Sequence, residues 1–192
     1  MVLHTRPALE MDEEQFFEFC RINRDWRIER TAEGDLEIML PTGGETSSRN
    51  FNLVLQLGAW AERDGGGIGF DSNGDFILPN GATRSPDASW VRRGRLANLT
   101  VEQKQKFLPL CPDFVIELRP PSDPLPSLEA KMCEYMENGA RLGWLLDPEE
   151  RRVYVYQPAE DPRILDKQQK VSGDPVLQGF VLGLRPIWEP GF

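Results

Sequence analysis

The chain has 192 residues, 40% of them hydrophobic, and a formal net charge of −9. That size supports one good core, and no apolar run is long enough to span a bilayer. The acidic balance argues against indiscriminate polyanion binding, because attracting phosphate needs a basic face.

The N-terminus, Met1 to Pro7, carries no apolar segment of the kind a secretory signal needs. Cys20, Cys111 and Cys133 lie far apart without a CxxC, each in an apolar pattern, and read as reduced core residues. Together these features predict a cytoplasmic protein. Asp12-Glu13-Glu14 followed by Phe16, Phe17, Phe19 and Cys20 predicts a short amphipathic helix with acids in its first turn. Trp26 to Arg30 and Leu36 to Leu40 flank Glu33-Gly34-Asp35 as an antiparallel hairpin. A long helix is expected from about Glu45 to Arg63, closed by Asp64-Gly65-Gly66-Gly67.

Strands then dominate. Ile68 to Asp71 and Phe76 to Leu78 are expected to pair through Asn73-Gly74, a strong hairpin signal. Pro79-Asn80-Gly81 turns the chain into a strand carrying Asp87. Thr100 and Gln103 form a capping box for a short surface helix ending near Phe107. Phe114 to Leu118 reads as a central strand. After the proline-rich stretch 120–126, a helix runs from about Ser127 to Asn138 and stops at Gly139. Arg141 to Leu146 and Arg151 to Tyr156 make another hairpin, and Gly179 to Leu182 a last edge strand. The result is one α/β domain of the α+β type over 1–192, its core at about 12–188, with a mixed, mostly antiparallel sheet flanked by helices.

Within this frame two carboxylates stand out. Glu117 interrupts Phe114-Val115-Ile116-Glu117-Leu118, and Asp87 follows Arg84-Ser85-Pro86. A charge among buried strand residues is costly unless it is paired, protonated or bound to a cation. Alternation puts Val115 and Glu117 on one face, and Phe114, Ile116 and Leu118 on the other. On neighbouring strands, Asp87 and Glu117 would offer oxygen ligands to Mg²⁺ or Mn²⁺, with the Leu118 carbonyl as a further ligand. Lys131, at the margin of the stripe formed by Leu128, Met132 and Tyr135, could reach the strand ends and order an attacking water. Asp113 sits in an equally good Pro-Asp pair and reads as a capping residue. Glu45 is either an additional acid of the site or a favourable charge at a helix N-terminus. Arg84, Arg92, Arg93 and Arg95 face a single acid over 84–95, either a basic rim that admits a phosphodiester or a solvated loop.

The order Arg84-Ser85-Pro86-Asp87, then Pro112-Asp113-Phe114-Val115-Ile116-Glu117-Leu118-Arg119, then Glu129-Ala130-Lys131 through Tyr135 to Gly139, resembles the putative restriction endonuclease family of the PD-(D/E)XK nuclease superfamily. The opening from Trp26 to Pro41 is similar too, as are Trp144 to Pro148, Arg152 to Tyr156 and Gly179 to Leu182. The resemblance implies a restriction-endonuclease-like sheet with Asp87 and Glu117 as metal ligands. It also implies Mg²⁺-dependent cleavage of phosphodiesters, most directly of DNA, by metal-activated water. Two positions depart from the pattern. Arg119 stands where the superfamily has lysine and cannot act as a base, because a guanidinium stays protonated; the lysine role then falls to Lys131, or Arg119 only clamps phosphate. Pro120 replaces a serine of the following loop. A homodimer would suit cleavage of both strands. The competing expectation is a non-catalytic binding or assembly protein that keeps the nuclease scaffold.

Overall fold

The chain's elements follow from its hydrophobic alternation and its breakers, and the computed structural model describes residues 1–191. The first half contains β1 (Val2–Leu3), α1 (Glu13–Ile22), β2 (Ile28–Arg30), β3 (Leu36–Ile38), α2 (Gly44–Asp64), β4 (Gly67–Asp71), β5 (Phe76–Ile77), β6 (Thr83–Arg84), β7 (Ala88–Arg92) and α3 (Arg93–Ala97). The second half contains β8 (Phe114–Leu118), α4 (Leu125–Glu137), β9 (Leu142–Asp147), β10 (Arg152–Tyr156), β11 (Arg163–Asp166), β12 (Lys170–Ser172), β13 (Val181–Gly183) and α5 (Arg185–Trp188).

The fold is α+β, with mixed, mostly antiparallel sheets flanked by helices. The main sheet has six strands in the order β11-β10-β9-β8-β7-β4. Only β8 and β9 pair in parallel in it, and their connection is α4, since parallel neighbours require a crossover. Phe114, Ile116 and Leu118 face one core with Leu53, Leu57 and Trp60 of α2 and the C-terminal Phe180 and Trp188. Val115 faces the other core, with Leu128, Met132 and Tyr135 of α4. β8 is therefore covered on both sides. A second sheet, β1-β3-β2-β6-β5, packs Ile28 and Leu36 beneath Phe16 of α1.

Local signals account for most boundaries. Asp12 caps α1 in a capping box with Gln15. α2 buries Leu53, Leu57, Trp60 and Ala61 at helical spacing and ends at Gly65, whose φ of 68° is the left-handed conformation glycine tolerates best.

Several expectations need correction. Asn73-Gly74 does not close a hairpin: β4 pairs with β7 in the main sheet and β5 with β6 in the second. A turn signal reports a local reversal and carries no information about which sheet the chain enters next. Val181–Gly183 is not an edge of the main sheet but pairs with Lys170–Ser172 in a separate ribbon. The Thr100–Gln103 capping box forms, but only a single 3-10 turn, Gln103–Gln105, follows it. Asp87 occupies the bend just before β7 rather than the strand itself. Cys133 is exposed on α4, not in the core; Cys20, Cys111 and Cys133 are all free thiols.

Candidate active site

The C-terminal end of β8 is the meeting point. Antiparallel pairing sets Ala88 opposite Ile116, so the residue before β7 arrives beside the end of β8. There the Leu118 N–H donates to Asp87 Oδ2 at 2.9 Å, and Asn50 Nδ2 of α2 donates to Oδ1 at 3.1 Å. Glu117, on the α4 face, accepts at Oε1 from the Tyr135 hydroxyl at 2.9 Å and lies 3.0 Å from Lys131 Nζ. Lys131 and Tyr135 reach one oxygen together because residues four apart share a helix face.

Lys131 Nζ also donates to Glu29 Oε1 of β2 at 2.8 Å. Glu29 is fully buried, and its Oε1 accepts the Ser85 N–H as well, at 2.9 Å. Arg84 is its second cation, 3.2 Å away, and Arg84 also binds Glu37 and Glu134. The carboxylates of Glu29, Glu37, Asp75, Asp87, Glu117 and Glu134 thus outnumber the cations Arg27, Arg84 and Lys131.

The titration behaviour follows from this crowding. Burial opposes ionisation of Glu29, yet Lys131 and Arg84 outweigh it and hold the carboxyl below its ordinary value. Burial pushes Asp87 up. Burial also drives Glu117 to about 7 against the pull of Lys131, with Asp87 and Glu29 adding repulsion. Burial disfavours the Lys131 ammonium, but Glu117 and Glu29 more than compensate, so its pKa is raised and it stays charged. Burial lifts Asp75 to about 6, although Ser85 donates to it.

The structure therefore brings Asp87, Glu117 and Lys131 together, and adds Glu29, Asn50 and Tyr135. Arg84 is 8% exposed at its side chain and occupied by its carboxylates. Arg119 shares the α4 face but turns to Asp147 at 2.6 Å and to the Asp123 carbonyl at 3.1 Å. Glu45 is exposed and pairs with Arg49 at 3.1 Å. Arg92 ends β7, about 16 Å from Asp87 at roughly 3.3 Å per residue, and Arg93 and Arg95 follow it in α3. They are no rim around the acids; Arg95 instead pairs with Asp113, which also accepts the Arg92 N–H. Glu29 had one readable signal: the hairpin register sets it opposite Glu37, and facing like charges require a cation between them.

The donor set suits a hard divalent cation. Carboxylate oxygens are in excess, Asp87 keeps 13% side-chain exposure, and the neighbouring Asn50 Oδ1 is buried without a hydrogen-bond partner. Among the described residues no three His, Cys, Asp or Glu side chains form a ready cluster for a metal. Water would have to complete the shell, which is the ordinary habit of Mg²⁺.

Residues 13–185 match the family described as Uma2, putative restriction endonuclease. The crystal structure of a putative nuclease belonging to DUF820 from Anabaena variabilis shares the fold, with a TM-score of 0.75 at 16% identity over 94% of this chain and 98% of that one. Among curated proteins nothing matches.

Proposed function

Since this chain belongs to the Uma2 family of putative restriction endonucleases, we propose that it is a divalent-metal-dependent endonuclease acting on DNA. The observation that carries this reading is the buried cluster at the end of β8. There the Leu118 N–H fixes Asp87, and Lys131 and Tyr135 of α4 fix the neighbouring Glu117, in a surplus of negative charge.

Asp87 and Glu117 would hold Mg²⁺ or Mn²⁺, and the Asn50 and Leu118 carbonyl oxygens are the further candidate donors. The chemistry such a cation supplies when bound is polarisation of a phosphoryl oxygen and activation of water. Hydrogen bonds from the Leu118 N–H and Asn50 orient the Asp87 carboxylate. Lys131 spends two of its ammonium protons on Glu29 and Glu117 and keeps a third for a water or a phosphate oxygen. Because it stays charged, it orients and stabilises charge rather than accepting a proton. Burial pushes the Glu117 carboxyl up to about 7, and a divalent cation beside it would favour the ionised form that serves as a ligand. Two copies about a two-fold axis would suit cutting both strands of a duplex.

Purified protein is expected to nick plasmid DNA with Mg²⁺ or Mn²⁺ and not with EDTA. Asp87→Ala and Glu117→Ala should abolish nicking, and Lys131→Ala should slow it on the order of 10²- to 10³-fold. Inactivity across divalent metals, with no metal uptake by calorimetry, would sink the reading. That outcome would favour the rival, a non-catalytic binding protein on the same scaffold. One observation already leans that way: Arg119, at the superfamily's lysine position, is spent on Asp147.

A further inference from the structure

A groove of about 430 Å³ runs beside the segment joining α1 to β2, lined by Phe17, Trp26 and Phe107 together with Arg21, Arg24 and Arg27. Ligand-binding clefts commonly span about 300–1,000 Å³, so this one has room for a nucleotide. Trp26 is 54% exposed and lines the groove, so part of its indole is open to a ligand there. Arg21 is paired with Glu18 at 2.6 Å and Arg27 lies 4.0 Å from Asp87, whereas Arg24 forms no ion pair among the described residues.

The groove also shares a wall with the acid cluster. Asp75 and Ser85 line it, Ser85 accepts at its carbonyl from Arg27 at 2.6 Å, and its N–H is bonded to Glu29. The Arg27 Nε is buried with no partner. Asp25, Asn73 and Asp75 line the groove as well and suit the amino and amide edges of a base, while Arg24 suits phosphate.

We propose that this groove seats an unpaired nucleotide of a single-stranded DNA segment, its base stacked on Trp26 and its backbone met by Arg24. An intact duplex hides its base faces, so only an unpaired base can use an aromatic platform of this kind. The nature of the ligand rests on the nuclease reading; the binding itself does not depend on cleavage.

Fluorescence anisotropy tests this, with a short labelled single strand and the matching duplex, in EDTA across a salt series. The single strand should bind more tightly than the duplex. Trp26→Ala should weaken single-strand binding by roughly five- to hundredfold, and Trp26→Phe should restore most of it. Arg24→Ala should reduce the salt slope by about 0.7, the loss of one phosphate contact on a single strand. Arg93→Ala, at the far end of the sheet, should change nothing. Wild-type affinity in Trp26→Ala, no binding to the single strand, or tighter duplex binding that ignores Trp26 would overturn the proposal. EDTA keeps the two readings separable. Binding through Trp26 without nicking in any metal refutes the nuclease and leaves the groove, while nicking with unaltered strand binding in Trp26→Ala refutes only the groove.

Discussion

Removing the Lys131 ammonium would leave Glu29 and Glu117 buried near one another with one cation fewer. Breaking a buried ionic network in this way costs about 3–5 kcal/mol, so Lys131→Ala should lower the urea midpoint markedly as well as slow nicking. Asp75 predicts a pH effect of its own. Its carboxyl ionises at about 6 in the fold against 3.8 ordinarily, so the folded chain binds the extra proton between those values. Stability must then fall as pH rises from about 4 to 6 and level off above. Asp75→Asn cannot ionise, so its stability relative to wild type should climb through the same window; parallel melts at acid and neutral pH would check it, and a constant difference would refute it. At this scale the sequence was half legible. Glu117 announced itself as a carboxylate inside a hydrophobic strand. Asp87 and Asp113 share the Pro-Asp dipeptide, but Asp113 reads as a capping residue, and in the fold it accepts the Arg92 N–H and pairs with Arg95. Glu29 carried only the signal of Glu37 across the hairpin, because its strand reads as half-exposed until the second sheet is known to pack against α4 through it.

The elements show why the site forms at a strand end. β8 and β9 are parallel, so α4 must cross back over the sheet, and that crossover carries Lys131 and Tyr135 above Glu117. The helix and the central strand were both readable, because apolar periodicity survives in long, doubly covered elements. Sheet membership of β4 was not, since it pairs with β7 across the intervening β5 and β6, which belong to the second sheet. β4 owes its close seat to Gly67, where a Cβ would overlap the Trp90 ring and the Val91 carbonyl. The carbonyl belongs to the backbone and cannot swing away, so Gly67→Ala should cost about 1–3 kcal/mol, measurable as a drop in Tm. Arg119 joins the ends of β8 and β9 through the buried Asp147. Arg119→Ala should therefore destabilise the fold by about 1–3 kcal/mol, and a variant as stable as wild type would return Arg119 to the list of substrate contacts.

Across the whole molecule, the net charge of −9 is not spread passively over the surface; part of it is folded inward at the site. A cation that binds only the folded chain must stabilise it, by about 2.7 kcal/mol at a hundred times its dissociation constant. Mn²⁺ should raise the Tm of the wild type and leave that of Glu117→Gln nearly unmoved; equal shifts in both would place the cation elsewhere. Arg84 ties Glu29 and Glu37 of the second sheet to Glu134 of α4, with Lys131 alongside. This has a consequence for descent. A lineage that abandoned cleavage would still need Glu29, Arg84 and Lys131 to tie the second sheet to α4, so their survival in a relative says little about activity. Asp87 and Glu117, whose burial works against their own ionisation, would be the first to drift, and their loss would mark the relatives that have changed trade.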